Sequence, residues 1–300
     1  MIKNAVQMNE HAYFLEAERA PVLTVSPNQI VKIPIVNAFG REFQSPADFY
    51  MYKKSQQKHH PLFGPIFIEG CKAGSTVRVA IHKIQPHKNS YNANSLSTGV
   101  LKGHEYERRF DILSTLQPQL DGYNLKTRPS LGVIGAATCE RTRSGRCGKT
   151  GGNLDINLLV EGAEVFLPVE FDGGLVYVGD AHLYQGAGEI NGIALETSAS
   201  ISISFSTSNI SIDFPIIKKE NQLAIVGYGT DVNLAIQSSV LNSIQLLRLS
   251  NPSLSFSAAY QIVGVMGEIC LGHITGAVCT AATVIPTRFI KGDDGDFFIC

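Results

Sequence analysis

Tryptophan is absent from this 300-residue chain, charge is sparse, and neither sign dominates. Charged residues make up 17%, with 25 Lys and Arg against 26 Asp and Glu, so the formal net charge is −1. That balance excludes binding driven by counterion release from a polyanion, so nucleic acid is not an expected partner. No C-x-x-C pair occurs among Cys71, Cys139, Cys147, Cys270, Cys279 and Cys300. Their spacing favours buried thiols in a reducing compartment over a disulfide framework. The start of the chain, Met1 to Glu10, has no apolar stretch of the length a secretory signal needs. One uncharged run, Ile269 to Thr287, is long enough to ask about a membrane span. It contains His273, Pro286 and two glycines, which suit buried strands better than a lipid-facing helix. A soluble, cytoplasmic protein with no membrane partner is the expectation.

What the chain does have is 44% hydrophobic residues and 28 glycines. The first excludes disorder and the second suggests many tight turns between short strands. Ile201-Ser-Ile-Ser-Phe205 alternates with a period of two, and so does Ile210-Ser-Ile-Asp-Phe214. The two are expected to pair across a turn at Thr207–Asn209. Further strands are expected at Val22 to Ile35, Ile66 to Glu69, Thr76 to Ile84, Val165 to Val169 and Leu175 to Val178. From Val232 the spacing changes: Ile236, Val240, Ile244 and Leu247 fall on one helical face, started by Thr230 or Asp231 and ended by Asn251-Pro252. A shorter helix is expected from Ser255 through Ile262. The expected fold is mainly β with an α+β portion, a multi-stranded sandwich or barrel-like arrangement with a late helical hairpin. The chain reads as one unit, with sub-units at 1–150, 151–215 and 216–300.

Polar residues suited to chemistry concentrate between Gly151 and Glu196. Asp180 and His182 stand two apart, so an extended backbone presents both on one face. Such a pair can ligate a cation or act as a base with its orienting partner. Gln185-Gly-Ala-Gly-Glu189 bends sharply and can return Glu189 to that face, while Gly151-Gly-Asn-Leu-Asp155 adds Asn153 and Asp155. A simple strand-end turn accounts for Gly-Asp-x-His equally well. Elsewhere the signals are weaker. Gly148-Lys149-Thr150 has Arg143 where a phosphate-binding loop needs glycine. Asp293-Asp-Gly-Asp296 lacks calcium-loop spacing. Ser55-Gln-Gln-Lys58 and His59-His60 lie in a polar run that reads as a surface loop.

The ordered string Gly151-Gly-Asn-Leu-Asp155, Leu159-Val-Glu-Gly162, Leu167-Pro-Val169, Val178-Gly-Asp-Ala-His182, Gln185-Gly-x-Gly-Glu189 and Glu196 resembles the acetamidase/formamidase family. Gly64-Pro-Ile-Phe-Ile-Glu-Gly70 and Leu131-Gly-Val-Ile-Gly135 extend the similarity, as do the helix from Val232, Ala259-Tyr260 and Ile285-Pro286. The resemblance implies a metal-associated hydrolase that cleaves the C–N bond of small linear amides, or of a cyclic lactam, and works as a homodimer or higher homo-oligomer. Peptide bonds are not its expected target. It implies a divalent metal, Zn²⁺ or else Ca²⁺, held by Asp180, His182 and a remote group such as His11. Glu189 and Asp155 are then candidate general bases, with the Gly152 and Asn153 amides supporting an oxyanion. Gln185, Asn37 and Thr150 would shape the substrate pocket. Three features depart from the family pattern: Asn37 where relatives often have Asp, Thr150 where they often have His or an aromatic, and an arginine-rich stretch from Cys139 to Lys149. Asn37 and Thr150 motivate an alternative, a catalytically impaired member that binds a small ligand.

Overall fold

The computed structural model describes residues 3–4, 11–55, 58–94, 98–208 and 210–290. Asp293–Asp296 and Cys300 lie outside them. A single large, curled half-barrel sheet dominates. Its main path runs from the Gly151–Asn153 strand through Ser130–Ala136, Val176–Tyr184, Leu195–Ser208, Thr76–Ala93, Glu164–Pro168, Ile216–Lys219 and Gln222–Gly229 to Cys279–Pro286. Val31–Ile35 and Leu62–Ile68 pair with it as extra strands, on Leu195–Ser208 and Val176–Tyr184 respectively.

Alternation explains which face each side chain takes. In Val31–Ile35, Val31, Ile33 and Ile35 are buried and the residues between them are exposed. Ile201, Ile203 and Phe205 join them in the main core, with Val79 and Val165. Phe166, next to Val165, points to the opposite face and packs in a second core with Ile216, Ile225, Ile244 and Val263. The Glu164–Pro168 strand is thus covered on both faces, which is why it reads as an unbroken apolar run.

The helical hairpin forms as its periodicity predicts. Its helices are Val232–Ser250, capped by Asp231, whose side chain accepts from the Leu234 amide, and Phe256–Met266, capped by Ser255. The segment Ile269–Thr287 contributes the Glu268–Leu271 and Cys279–Pro286 strands. Among the described residues, no helix is long and apolar enough to cross a membrane.

Two expectations are corrected. Residues 210–214 form no strand, and Leu195–Ser208 pairs instead with Thr76–Ala93 and Val31–Ile35. Ile212 and Phe214 are buried in the second core without a ladder, because side-chain alternation records burial and not pairing. The polar stretch around Lys53 is also not wholly loop. Pro46–Lys54 is a helix, with Ser45 as N-cap and Pro46 in its first turn. Only Phe49 and Tyr52 on it are buried, which leaves little hydrophobic period to detect.

Candidate active site

The Val176–Tyr184 strand carries Asp180 and His182, and its antiparallel partner Ser130–Ala136 passes directly beneath them. Gly132 occupies that floor. A Cβ there would lie 2.7 Å from Asp155 Oδ1, 2.7 Å from Asp180 Oδ2 and 2.9 Å from His182 Cε1. The missing side chain is therefore the space into which all three groups converge. Asp155 follows the Gly151–Asn153 strand, and the amides of Leu154 and Asp155 both donate to the Gly132 carbonyl, at 2.9 and 3.1 Å. Asp155, Asp180 and Glu189 all have positive φ, at 49°, 60° and 45°. Non-glycine residues rarely adopt this conformation, and its concentration on these carboxylates marks a site whose geometry the surroundings enforce.

Gln185 sets the orientation of His182. Its Nε2 donates to the Asp155 carbonyl at 2.9 Å, so its Oε1 is left to accept from His182 Nδ1 at 3.0 Å. That arrangement turns Nε2 toward the carboxylates. His182 Nε2, Asp155 Oδ1, Asp180 Oδ1 and Asn153 Oδ1 are all buried without a hydrogen-bond partner. Asp155, Asp180 and His182 can each offer a ligand atom within 4.8 Å of the others. Asp155, Glu189 and His273 form a second such group, and His182, Glu189 and Glu196 a third. Orphaned carboxylate oxygens and an aimed imidazole nitrogen are a donor set that fits a divalent cation.

The electrostatics are those of a crowded, dry cluster. Burial and the Glu189 carboxylate push Asp155 up to about 7. Burial opposes ionisation of Asp180 too, but the charges of His182, with Nε2 3.3 Å from Asp180 Oδ1, and of His60, together with the hydrogen bond from His60, hold it well below the usual carboxylate range. His182 is raised well above its usual value, as Asp180 and Glu196 outweigh its burial. Burial and the charge of Asp180 raise Glu196 strongly, favouring its neutral form. His273 Nδ1 lies 2.7 Å from Glu189 Oε2 and 3.5 Å from Asp155 Oδ2. Burial opposes its protonation, but these partners raise it to about 9.

Four participants escaped the sequence reading. His60 lies 2.9 Å from Asp180 Oδ2 through Nδ1, despite its place in a polar run. Its position comes from its amide, which donates to the Ala38 carbonyl at 2.7 Å, and from its neighbour His59, whose ring packs against Phe39 and Tyr52 of an aromatic cluster. His273 comes from the apolar run before the last long strand. Glu196, paired in register with His182, stood in the family string without a role. Gly132 stood in the quoted Leu131–Gly135 segment, where a side chain's absence gives no signal of its own.

Other expected residues lie elsewhere. His11 lines a separate surface recess with Glu16, Arg19, Lys58 and Arg141 and belongs to none of the cation-holding groups. The Asn153 amide donates to the Arg146 carbonyl at 3.0 Å and is not free for an oxyanion. Gly152, at φ 125°, is packed so closely that a Cβ would lie 2.2 Å from the Arg146 carbonyl oxygen. Asn37 folds its own loop: its Nδ2 donates to the Arg41 carbonyl and its Oδ1 accepts from the Phe39 amide. Thr150 Oγ1 donates to the Ala136 carbonyl at 3.0 Å and closes the strand pair behind Asp155.

A large curled sheet with a buried carboxylate–imidazole centre defines the class. Residues 126–290 match the model of the Acetamidase/Formamidase family, and the chain belongs to that family. The fold is similar to that of a predicted acetamidase/formamidase from Thermoanaerobacter tengcongensis, with 23% identity and a TM-score of 0.90 over 99% of both chains. An acetamidase from Bacillus halodurans, 22% identical, gives a TM-score of 0.86 over 96% of this chain and 98% of its own. A gamma lactamase from Delftia acidovorans, 19% identical, gives 0.61 over 94% and 89%. At these identities the likeness shows the fold. A Schizosaccharomyces pombe protein with a provisional formamidase name is 47% identical over 64 residues, which span 21% of this chain and 15% of that protein.

Proposed function

We propose that the chain hydrolyses the C–N bond of small amides with a divalent cation at the Gly132 floor. One observation carries this reading: Asp155 Oδ1, Asp180 Oδ1 and His182 Nε2 are buried without a hydrogen-bond partner, on three residues that can each offer a ligand atom within 4.8 Å of the others. These three would hold the cation. The imidazole nitrogen among them favours Zn²⁺ over Ca²⁺, which prefers an all-oxygen shell. When bound, such an ion supplies Lewis acidity toward a carbonyl and acidifies water. This reassigns Asp155 from base to ligand.

The remaining work falls to side chains at the edge of the cluster. Glu189 accepts a proton from the attacking water as the new C–O bond forms. His273, protonated through its bond to Glu189, delivers a proton to the amide nitrogen as the C–N bond breaks and ammonia leaves. Protonated Glu189 then passes its proton to neutral His273 along their hydrogen bond, which restores the pair, and the carboxylic acid product loses its own proton to ammonia or solvent. Burial opposes protonation of His60, but Asp180 favours it, and in the protonated form His60 offers positive charge to the developing oxyanion. Glu196, held by the Ala38 and Ala194 amides and favoured in its neutral form, lines the cluster without adding repulsion.

The internal bonding of Asn37 and Thr150 supports scaffold roles and removes the motive for a silent binding protein. The free thiols Cys71, Cys139, Cys147, Cys270 and Cys279 accord with a cytoplasmic setting. Exposed Leu234, Leu241, Leu249, Phe256 and Tyr260 on the helix pair support a homo-oligomer. Strands from all three sequence stretches share one sheet, which supports a single unit. The test is ammonia release from acetamide and formamide, and appearance of the ring-opened amino acid from a lactam, with metal-loaded and chelated protein. Chelation should abolish turnover; no turnover on any amide with metal bound would reject the reading.

A further inference from the structure

Two side chains mark where the centre opens. His60 is 27% exposed and His273 15%, whereas the side chains of Asp155, Asp180, His182, Glu189 and Glu196 are at most 7% exposed. In front of His60 lies a recess of about 380 Å³. It is lined by Lys58, Arg143 and Arg146 with Tyr13 and Phe14, and, among the described residues, by no Asp or Glu. Neighbouring Arg141 and Lys149 are paired with Glu16 and Glu170. Lys58, Arg143 and Arg146 make no ion pair among the described residues.

Several contacts hold these cations in place. The Arg143 guanidinium sits 5.6 Å from the Phe14 ring centre and the Lys58 ammonium 5.2 Å from that of Tyr13. The loop between the arginines lies over His60, since a Cβ on Gly145 would be 3.2 Å from His60 Cδ2. The Ser144 amide donates to the Tyr13 carbonyl at 3.0 Å. The Arg146 carbonyl accepts from Asn153, two residues before Asp155, so the outer cations and the inner carboxylates share one framework.

The resulting field has a sense: negative within, positive at the mouth. An amide that also carries a carboxylate would enter with its amide inward and its carboxylate at the arginines; the reverse orientation would set carboxylate against carboxylate. We propose that this recess selects short amides bearing a carboxylate, monoamides of dicarboxylic acids, in preference to neutral amides. Lys58, Arg143 and Arg146 determine that specificity. The assignment rests on the hydrolase reading for its chemistry and on the recess alone for its ligand.

Succinamate and neutral butyramide are compared on metal-loaded wild type and on an Arg143→Gln, Arg146→Gln double variant. kcat/KM should favour succinamate by about tenfold or more at low salt. High salt or the double substitution should erase that preference while butyramide is unaffected. Equal use of the two amides, or succinamate turnover indifferent to the arginines, would overturn the proposal. Calorimetry of succinamate on the metal-free protein separates the two readings. Salt-sensitive binding that the double variant loses supports the recess assignment, and it does so even if no amide is turned over, an outcome that would overturn the hydrolase reading alone. Binding that is absent, or independent of the arginines, overturns the recess assignment.

Discussion

Replacing Gly132 by alanine should abolish metal binding while leaving the sheet folded. The added methyl would lie 2.7 Å from Asp155 Oδ1 and from Asp180 Oδ2, and 2.9 Å from His182 Cε1. Ordinary carbon–oxygen contacts are about 3.5 Å, so each oxygen must retreat by most of an ångström. Ligand distances in a metal site tolerate only about 0.2 Å. The loss should therefore be at least 100-fold in affinity, or about 2.7 kcal/mol at 1.36 kcal/mol per tenfold. Gly132 does not have the positive φ that strains other residues, so the backbone accepts alanine. The methyl's cost to the metal-free fold is then that of mild overpacking, about 1–3 kcal/mol. Elemental analysis after dialysis against Zn²⁺, with thermal unfolding of the metal-free proteins, measures both. A Gly132→Ala protein that folds and retains wild-type affinity would refute the claim that the cation sits over this floor.

Further perturbations separate the roles. His273→Asn should retain metal yet lower the rate of ammonia release by about 10²- to 10⁴-fold, the range for a lost general acid; metal loss in this variant would make His273 a ligand. Gln185→Leu should weaken Zn²⁺ binding by about 10- to 100-fold, because His182 loses the partner that fixes its ring, as competition with a fluorescent chelator will show. Asp155, His273, His182, His60 and Glu196 all have raised values. Each therefore contributes stability below its unfolded value that is lost as pH rises through its folded one. The chelated protein should lose melting temperature as pH rises from about 4 to 9, with Asp155 acting up to about 7 and His273 from about 6.5 to about 9, and a flat or rising profile would contradict the assigned directions. Phe43→Ala should cost about 3–5 kcal/mol in denaturant unfolding, since Phe43 is buried against Phe39, Phe49, Tyr52, Tyr91 and Phe110.

Local pattern made much of this legible. Alternation at Ile201–Phe205 located the central strand, and the spacing from Ile236 to Leu247 located the helix. Asp180 and His182 were visible because two-residue spacing on a strand is itself geometry. His60 was not, since its partner Asp180 lies 120 residues away, and a long-range backbone bond to Ala38, not a local motif, holds it there. His273 was hidden for a similar reason: its role depends on Glu189, 84 residues distant. The Asn153 amide seemed available because sequence shows a donor but not the Arg146 carbonyl that occupies it.

Stoichiometric zinc titration of the chelated protein tests the central claim most directly, with uptake, proton release and ammonia production from acetamide followed together. One equivalent per chain should restore turnover and release protons, since Asp155 at about 7 and the protonated His182 must give theirs up. A protein carrying Asp155→Asn, Asp180→Asn and His182→Gln should take up no zinc and produce no ammonia. Full zinc uptake by that triple variant, or undiminished turnover by chelated wild type, would contradict the account.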